Sequence, residues 1–130
     1  MNNQQLFNQS AEHILRQRVP ALEDGNCRYR TFEGLSCGVG CLIPDEDYDA
    51  RMEGYTIREL SETRTLWMRP IRQALGPLNA PSRVEFLVRL QRAHDNALGG
   101  GIESWRAEMR RIARNYRLSD AVLDKETGDV

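Results

Sequence analysis

Apolar positions along the chain fall into helical stripes broken by one segment that does not. Leu6, Phe7, Ala11, Ile14 and Leu15 recur at three- and four-residue steps and predict an amphipathic helix from about Gln4 to Arg18. Pro20 ends it, because proline disfavours helix in the residue before it. Cys27 to Phe32 alternates and carries aromatics, so it reads as a strand. Glu33-Gly34 turns it, and Leu35-Ser36-Cys37 returns, giving a hairpin over about 27–37. So small a hairpin needs a helical layer over one face. Gly38 to Ile43 is too glycine-rich for a helix interior. It reads as a tight cysteine turn over 37–44, followed by an acidic loop over 45–54. Thr56 with Glu59 forms a capping box for a helix from Ile57 to about Met68, kinked or restarted at Pro70. Ser82 with Glu85 reads as a second box. That helix turns Phe86, Leu87, Leu90, Ala93, His94 and Ala97 inward and stops at Gly99-Gly100-Gly101. A last helix buries Ile102, Trp105, Met109, Ile112, Ala113 and Tyr116. The expected fold is α+β and predominantly helical, with about four helices packed on a short N-terminal-half hairpin.

The 130 residues fit one domain, placed at 1–118, with 119–130 as an acidic, mobile tail. The longest apolar run is too short to span a bilayer. The polar start, Met1 to Ser10, is unlike a signal peptide, so a cytoplasmic location is expected, with no membrane partner. Cys27, Cys37 and Cys41 are then expected as thiols. Charge is segregated within a net −1. Asp45, Glu46, Asp47, Asp49 and Glu53 lead an acidic block and form a candidate protein-binding patch. Arg106, Arg110 and Arg114 lead an outward basic face on the last helix. That face is a candidate for phosphate contact, but its aromatics lie on the inward stripe, so nucleic acid is not favoured.

No catalytic residue is assigned. Cys37 or Cys41 with His94 and Asp95 are the candidates for a nucleophile, its base and an orienting acid. Neighbours on an α-helix point about 100° apart, so Asp95 is not expected to hold the His94 ring. Cys27, Cys37, Cys41 and His94 make a possible zinc set, but only Cys37-x₃-Cys41 has ligand spacing. Asp45-x-Asp47-x-Asp49 imitates a calcium loop, with Ala50 and Thr56 in place of the required glycine and glutamate. The glycine-rich turn could serve as an anion nest for a small molecule or nucleotide. No cofactor is expected.

One long motif organises the chain: Cys27-x-Tyr29-Arg30, then Cys37-x-Val39-Gly40-Cys41-Leu42-Ile43-Pro44-Asp45-Glu46, then Glu53-Gly54 and His94-Asp95. It resembles a family of small proteins common in tailed bacteriophages and prophages, over roughly Leu6 to Tyr116. Gly38 stands where that family usually has alanine. The resemblance implies a phage or prophage origin and a shared fold, and it brings no activity with it. The resulting expectation is an accessory protein that binds and modulates a host bacterial protein, such as a defence complex, without catalysis of its own. A small Cys/His enzyme and a ligand-binding module are the alternatives.

Overall fold

The structure is a computed structural model that describes residues 1–125. Five α-helices are found among them: α1 Asn3–Gln17, α2 Ile57–Glu62, α3 Arg69–Leu75, α4 Pro81–Arg92 and α5 Ile102–Tyr116. A two-stranded antiparallel hairpin, β1 Leu22–Glu23 and β2 Asn26–Cys27, lies in the N-terminal half. The helical α+β class read from the sequence is therefore the observed one.

α1 forms where the apolar stripe predicted it. Asn2 and Gln5 cap its start reciprocally, and Arg18 closes it in the left-handed region. Leu6, Phe7, Ala11, Ile14 and Leu15 are fully buried. α4 is the centre of the packing and touches α1, α2 and α5. Phe86, Leu87, Leu90, Trp105, Met109 and Ile112 fill the space between, each at most 1% exposed. No helix of the described residues is long and apolar enough to cross a membrane.

Four expectations change. The paired ladder lies earlier than 27–37, while the expected strands contract to one bridge, Arg30 to Ser36. The helix begun by the Thr56 box ends at Glu62, where the Arg72 guanidinium caps it through the Leu60, Ser61 and Thr63 carbonyls, and Pro70 opens α3 instead. The Ser82 box does not form. Pro81 takes the first helical turn without needing a donor bond, and Glu85 turns to Arg58 and Arg89. The tail is not free over 119–125. Val122 and Leu123 are buried, Ser119 N–H donates to Gln4 Oε1, and Asp120 and Asp124 both pair with Arg110. Residues 126–130 of that expected tail lie outside the described residues.

The cysteine turn is core. Gly38, Val39 and Gly40 are buried, and Ser10 Oγ of α1 donates to Gly38 O at 2.6 Å. Gly40 packs its α-carbon directly on the Tyr29 backbone. A Cβ there would sit 2.7 Å from the Tyr29 carbonyl carbon, with backbone on that side unable to swing away. At Gly38 a Cβ would meet Leu90 O at 3.0 Å, a contact that a small shift relieves. Gly40→Ala should therefore destabilise by about 1–3 kcal/mol through overpacking, and Gly38→Ala by clearly less. Urea unfolding of both variants checks the order.

Lower down α1, Gln17 clips the Ser36 backbone from both sides, accepting from its N–H at 2.9 Å and donating to its carbonyl at 2.8 Å. His13 Nε2 lies 2.8 Å from Gln17 Oε1 and 3.3 Å from Ser36 O. Burial first, and the Arg16 charge as a lesser cause, lower the His13 pKa below its ordinary value of 6.5. A lowered folded value means the unfolded chain binds more protons. The stabilisation is complete above pH 6.5 and is lost as pH falls from there through the folded pKa. The melting temperature of the wild type should fall over this window by more than that of His13→Gln, and thermal melts at stepped pH measure the difference.

Candidate functional site

The sequence stops being α-helical where its histidine lies. Over Ala93–Ala97 the chain runs as a π turn between α4 and a short 3-10 turn, and Gly101 then breaks it at φ 108°. A π turn is wider than an α turn, so successive side chains are less splayed. Asp95 consequently reaches back: its Oδ1 lies 2.8 Å from His94 Nδ1. This overturns the expectation that neighbouring helical residues cannot pair.

His94 is fully buried and its other nitrogen is also taken. The Ala21 amide donates to Nε2 at 2.9 Å. An amide N–H only donates, so Nε2 must carry the lone pair and Nδ1 the proton, which goes to Asp95. The ring is a neutral bridge between α4's π extension and the chain that enters β1. It has no free lone pair to take a proton from a thiol or to ligate a metal.

The cysteines divide accordingly. Cys37 is buried, donates to Gln91 Oε1 at 2.9 Å and accepts from Gly40 N–H at 3.1 Å. Gln91 Nε2 in turn donates to Asp95 Oδ1 at 3.2 Å. The candidate nucleophile Cys37 is thus joined to Asp95 through an amide, and not to His94. Burial pushes its thiol up to about 12. Cys41 is held 3.6 Å from Gly38 O, and burial raises its pKa as well. All three cysteines are free thiols, as expected.

Cys27, Cys37, Cys41 and His94 do not gather as the zinc reading required. The cluster found among the described residues is Cys27, His94 and Asp95, with ligand atoms within 4.8 Å of one another. Cys37 and Cys41 are outside it. Cys27 sits at the surface on β2 and hydrogen-bonds Asp95, and partial burial followed by that carboxylate pushes its thiol up to about 11. Asp95 was legible only as part of His94-Asp95, and Gln91 carried no signal as a linker.

The acidic patch is mostly spent inside the chain. The Glu53 carboxylate accepts from Tyr29 N–H and Arg30 N–H, each at 3.0 Å, and from Tyr48 Oη at 2.6 Å. It is a clamp on the Tyr29–Arg30 backbone. Asp45 pairs with Arg30, whose guanidinium also bonds Ile43 O and lies 5.0 Å from the Tyr48 ring centre. Asp49 caps Arg51 N–H and pairs with its side chain. Glu46 and Asp47 are left without a side-chain partner among the described residues. On the basic face, Arg106 donates to Leu123 O and Arg110 holds Asp120 and Asp124, so Arg114 alone of the three stays open. The glycine-rich turn offers no anion nest, because its amides bond Cys37 Sγ, Cys37 O and Val39 O.

A cleft of about 520 Å³ opens beside the network. Its lining includes Cys27, Gln91 and Asp95 together with Tyr55, Ile57, Arg58 and Arg92. The second feature that sequence reasoning missed is Phe32. Thr31 N–H and O bond Leu35 and Gly34, Thr31 Oγ1 accepts from Leu35 N–H, and Phe32 N–H donates to Glu23 Oε1 at 2.6 Å. These bonds fix the turn and leave the Phe32 ring 97% exposed.

Cys27 should alkylate more than tenfold slower than free cysteine at neutral pH, since the thiolate is the reactive form. Asp95→Asn should quicken it by removing the adjacent charge, and iodoacetamide kinetics followed by peptide mapping give both rates. Family models, curated proteins and solved structures offer no match to this chain, and the chemistry of the site follows from its own geometry.

Proposed function

We propose that this chain is a phage or prophage accessory protein that binds and modulates a host bacterial protein in the cytoplasm, without catalysis of its own. The observation that carries the binding role is Phe32. A ring left almost wholly in water costs hydrophobic free energy that burial against a partner would recover. The turn that holds it is already ordered by four hydrogen bonds, so little conformational entropy remains to be lost on docking. Val19 and Leu22 are each nearly half exposed, and Asp24 and Glu33 stand unpaired beside the same turn. An apolar anchor with an acidic rim fits a folded protein that presents an apolar socket edged with Lys or Arg.

The phage assignment rests on the Cys27–Gly54 motif and its resemblance, and a host defence complex is one class of target it suggests. The enzymatic alternative loses support from His94, whose two ring nitrogens are both committed.

Immobilised wild-type protein should retain one bacterial protein that Phe32→Ser loses, with the variant's melting temperature unchanged. The isolated partner should then bind the wild type roughly thirtyfold or more tighter than the variant, the usual loss at an aromatic hot spot. Equal retention by Phe32→Ser would remove Phe32 from the interface and this reading with it.

A further inference from the structure

The cleft beside Asp95 holds opposite charges that do not neutralise each other. Arg92 and Asp95 are three residues apart at the junction of α4 and the π turn, and both line it. They form no ion pair. Among the described residues the Arg92 guanidinium has no hydrogen-bond or ion-pair partner at all. Asp95 accepts from His94 and Gln91 and hydrogen-bonds Cys27, yet its side chain remains 31% exposed. That exposed part of the carboxylate is the anionic point on the cleft lining. The other charges nearby are satisfied: Glu53 by three donors, Arg58 by Glu85.

The cleft therefore presents one open anionic point and one open cationic point, fixed differently. Asp95 is oriented by the buried His94 ring, while Arg92 is exposed and unpaired among the described residues. Ile57, Val88 and Tyr55 also line the cleft, and the Tyr55 ring makes a tilted contact with Trp67 at 6.3 Å. A charged floor, a charged arm and an apolar wall are the complement of a small zwitterion bearing an apolar or aromatic side chain.

We propose that this cleft binds a free α-amino acid, with the ammonium on Asp95, the carboxylate on Arg92 and the side chain against Tyr55 and Val88. The volume of about 520 Å³ admits one such molecule with its bound water and is too small for a folded partner. The site lies apart from Phe32 and does not depend on the host-protein reading.

Isothermal titration of each standard L-amino acid into the full chain, with melting temperature as a second readout, tests this directly. At least one apolar or aromatic amino acid should bind and raise the melting temperature. Its N-acetyl form and its amide should each bind roughly ten- to hundredfold more weakly, because each deletes one charge-assisted bond. Arg92→Gln should weaken binding by a similar factor while leaving the unliganded melting temperature in place, since Arg92 holds nothing in the fold. Three results would each overturn the proposal: no amino acid binding to the wild type, equal binding of the N-acetyl form, or undiminished binding to Arg92→Gln.

Discussion

Everything at the centre of this protein depends on where one imidazole ring places its two nitrogens. His94 is buried without charge and joins the end of α4 to the chain entering the hairpin, through a bond donated to Asp95 and one accepted from Ala21. A buried ring with either nitrogen unpaired would carry a desolvation cost of about 1–3 kcal/mol. The π turn is what makes the pairing with the adjacent residue possible. The rest of the polar core extends from that pair: Asp95 to Gln91, Gln91 to Cys37, and Cys37 to the amide of Gly40, which packs against the Tyr29 backbone.

This chain of bonds changes the meaning of residues that look chemical. A cysteine, a histidine and an aspartate in one neighbourhood suggest a nucleophile, its base and its orienting acid. Here the histidine's basic lone pair faces a backbone amide and the thiols are held protonated by burial. The same residues that would activate a nucleophile in another arrangement act as connectors. Glu53 behaves alike: a carboxylate in an acidic loop turns inward and closes the Tyr29 and Arg30 backbone donors, which have no strand ladder to satisfy them.

Charge segregation is resolved mostly within the molecule. Asp120 and Asp124 fold back on Arg110, and the acidic loop engages Arg30 and Arg51. Exposed pairs of this kind are worth little each, about 0–1 kcal/mol. Their larger effect is to remove those charges from the set available to partners. Among the features that the described residues leave open are the Phe32 tip with its acidic rim, and the cleft lined by the unpaired Arg92 guanidinium and the part-exposed Asp95 carboxylate.

Periodicity alone determined α1, the inward stripe of α5 and the α+β class, because burial of one helix face imposes a local repeat that any partner surface will satisfy. The Thr56 capping box was equally legible, since its bonds span three residues. The Ser82 box was written in the same code and failed, because Pro81 already met the needs of that helix start. The pairing of His94 with Asp95, the inward turn of Glu53, the exposure of Phe32 and the docking of 119–125 had no local signature. Each is decided by a group brought from far along the chain, Ala21 to His94 and Gln4 to Ser119 among them. A polar side chain has several partners of similar strength within reach of its type, and only the packed backbone selects which one is near enough to bond.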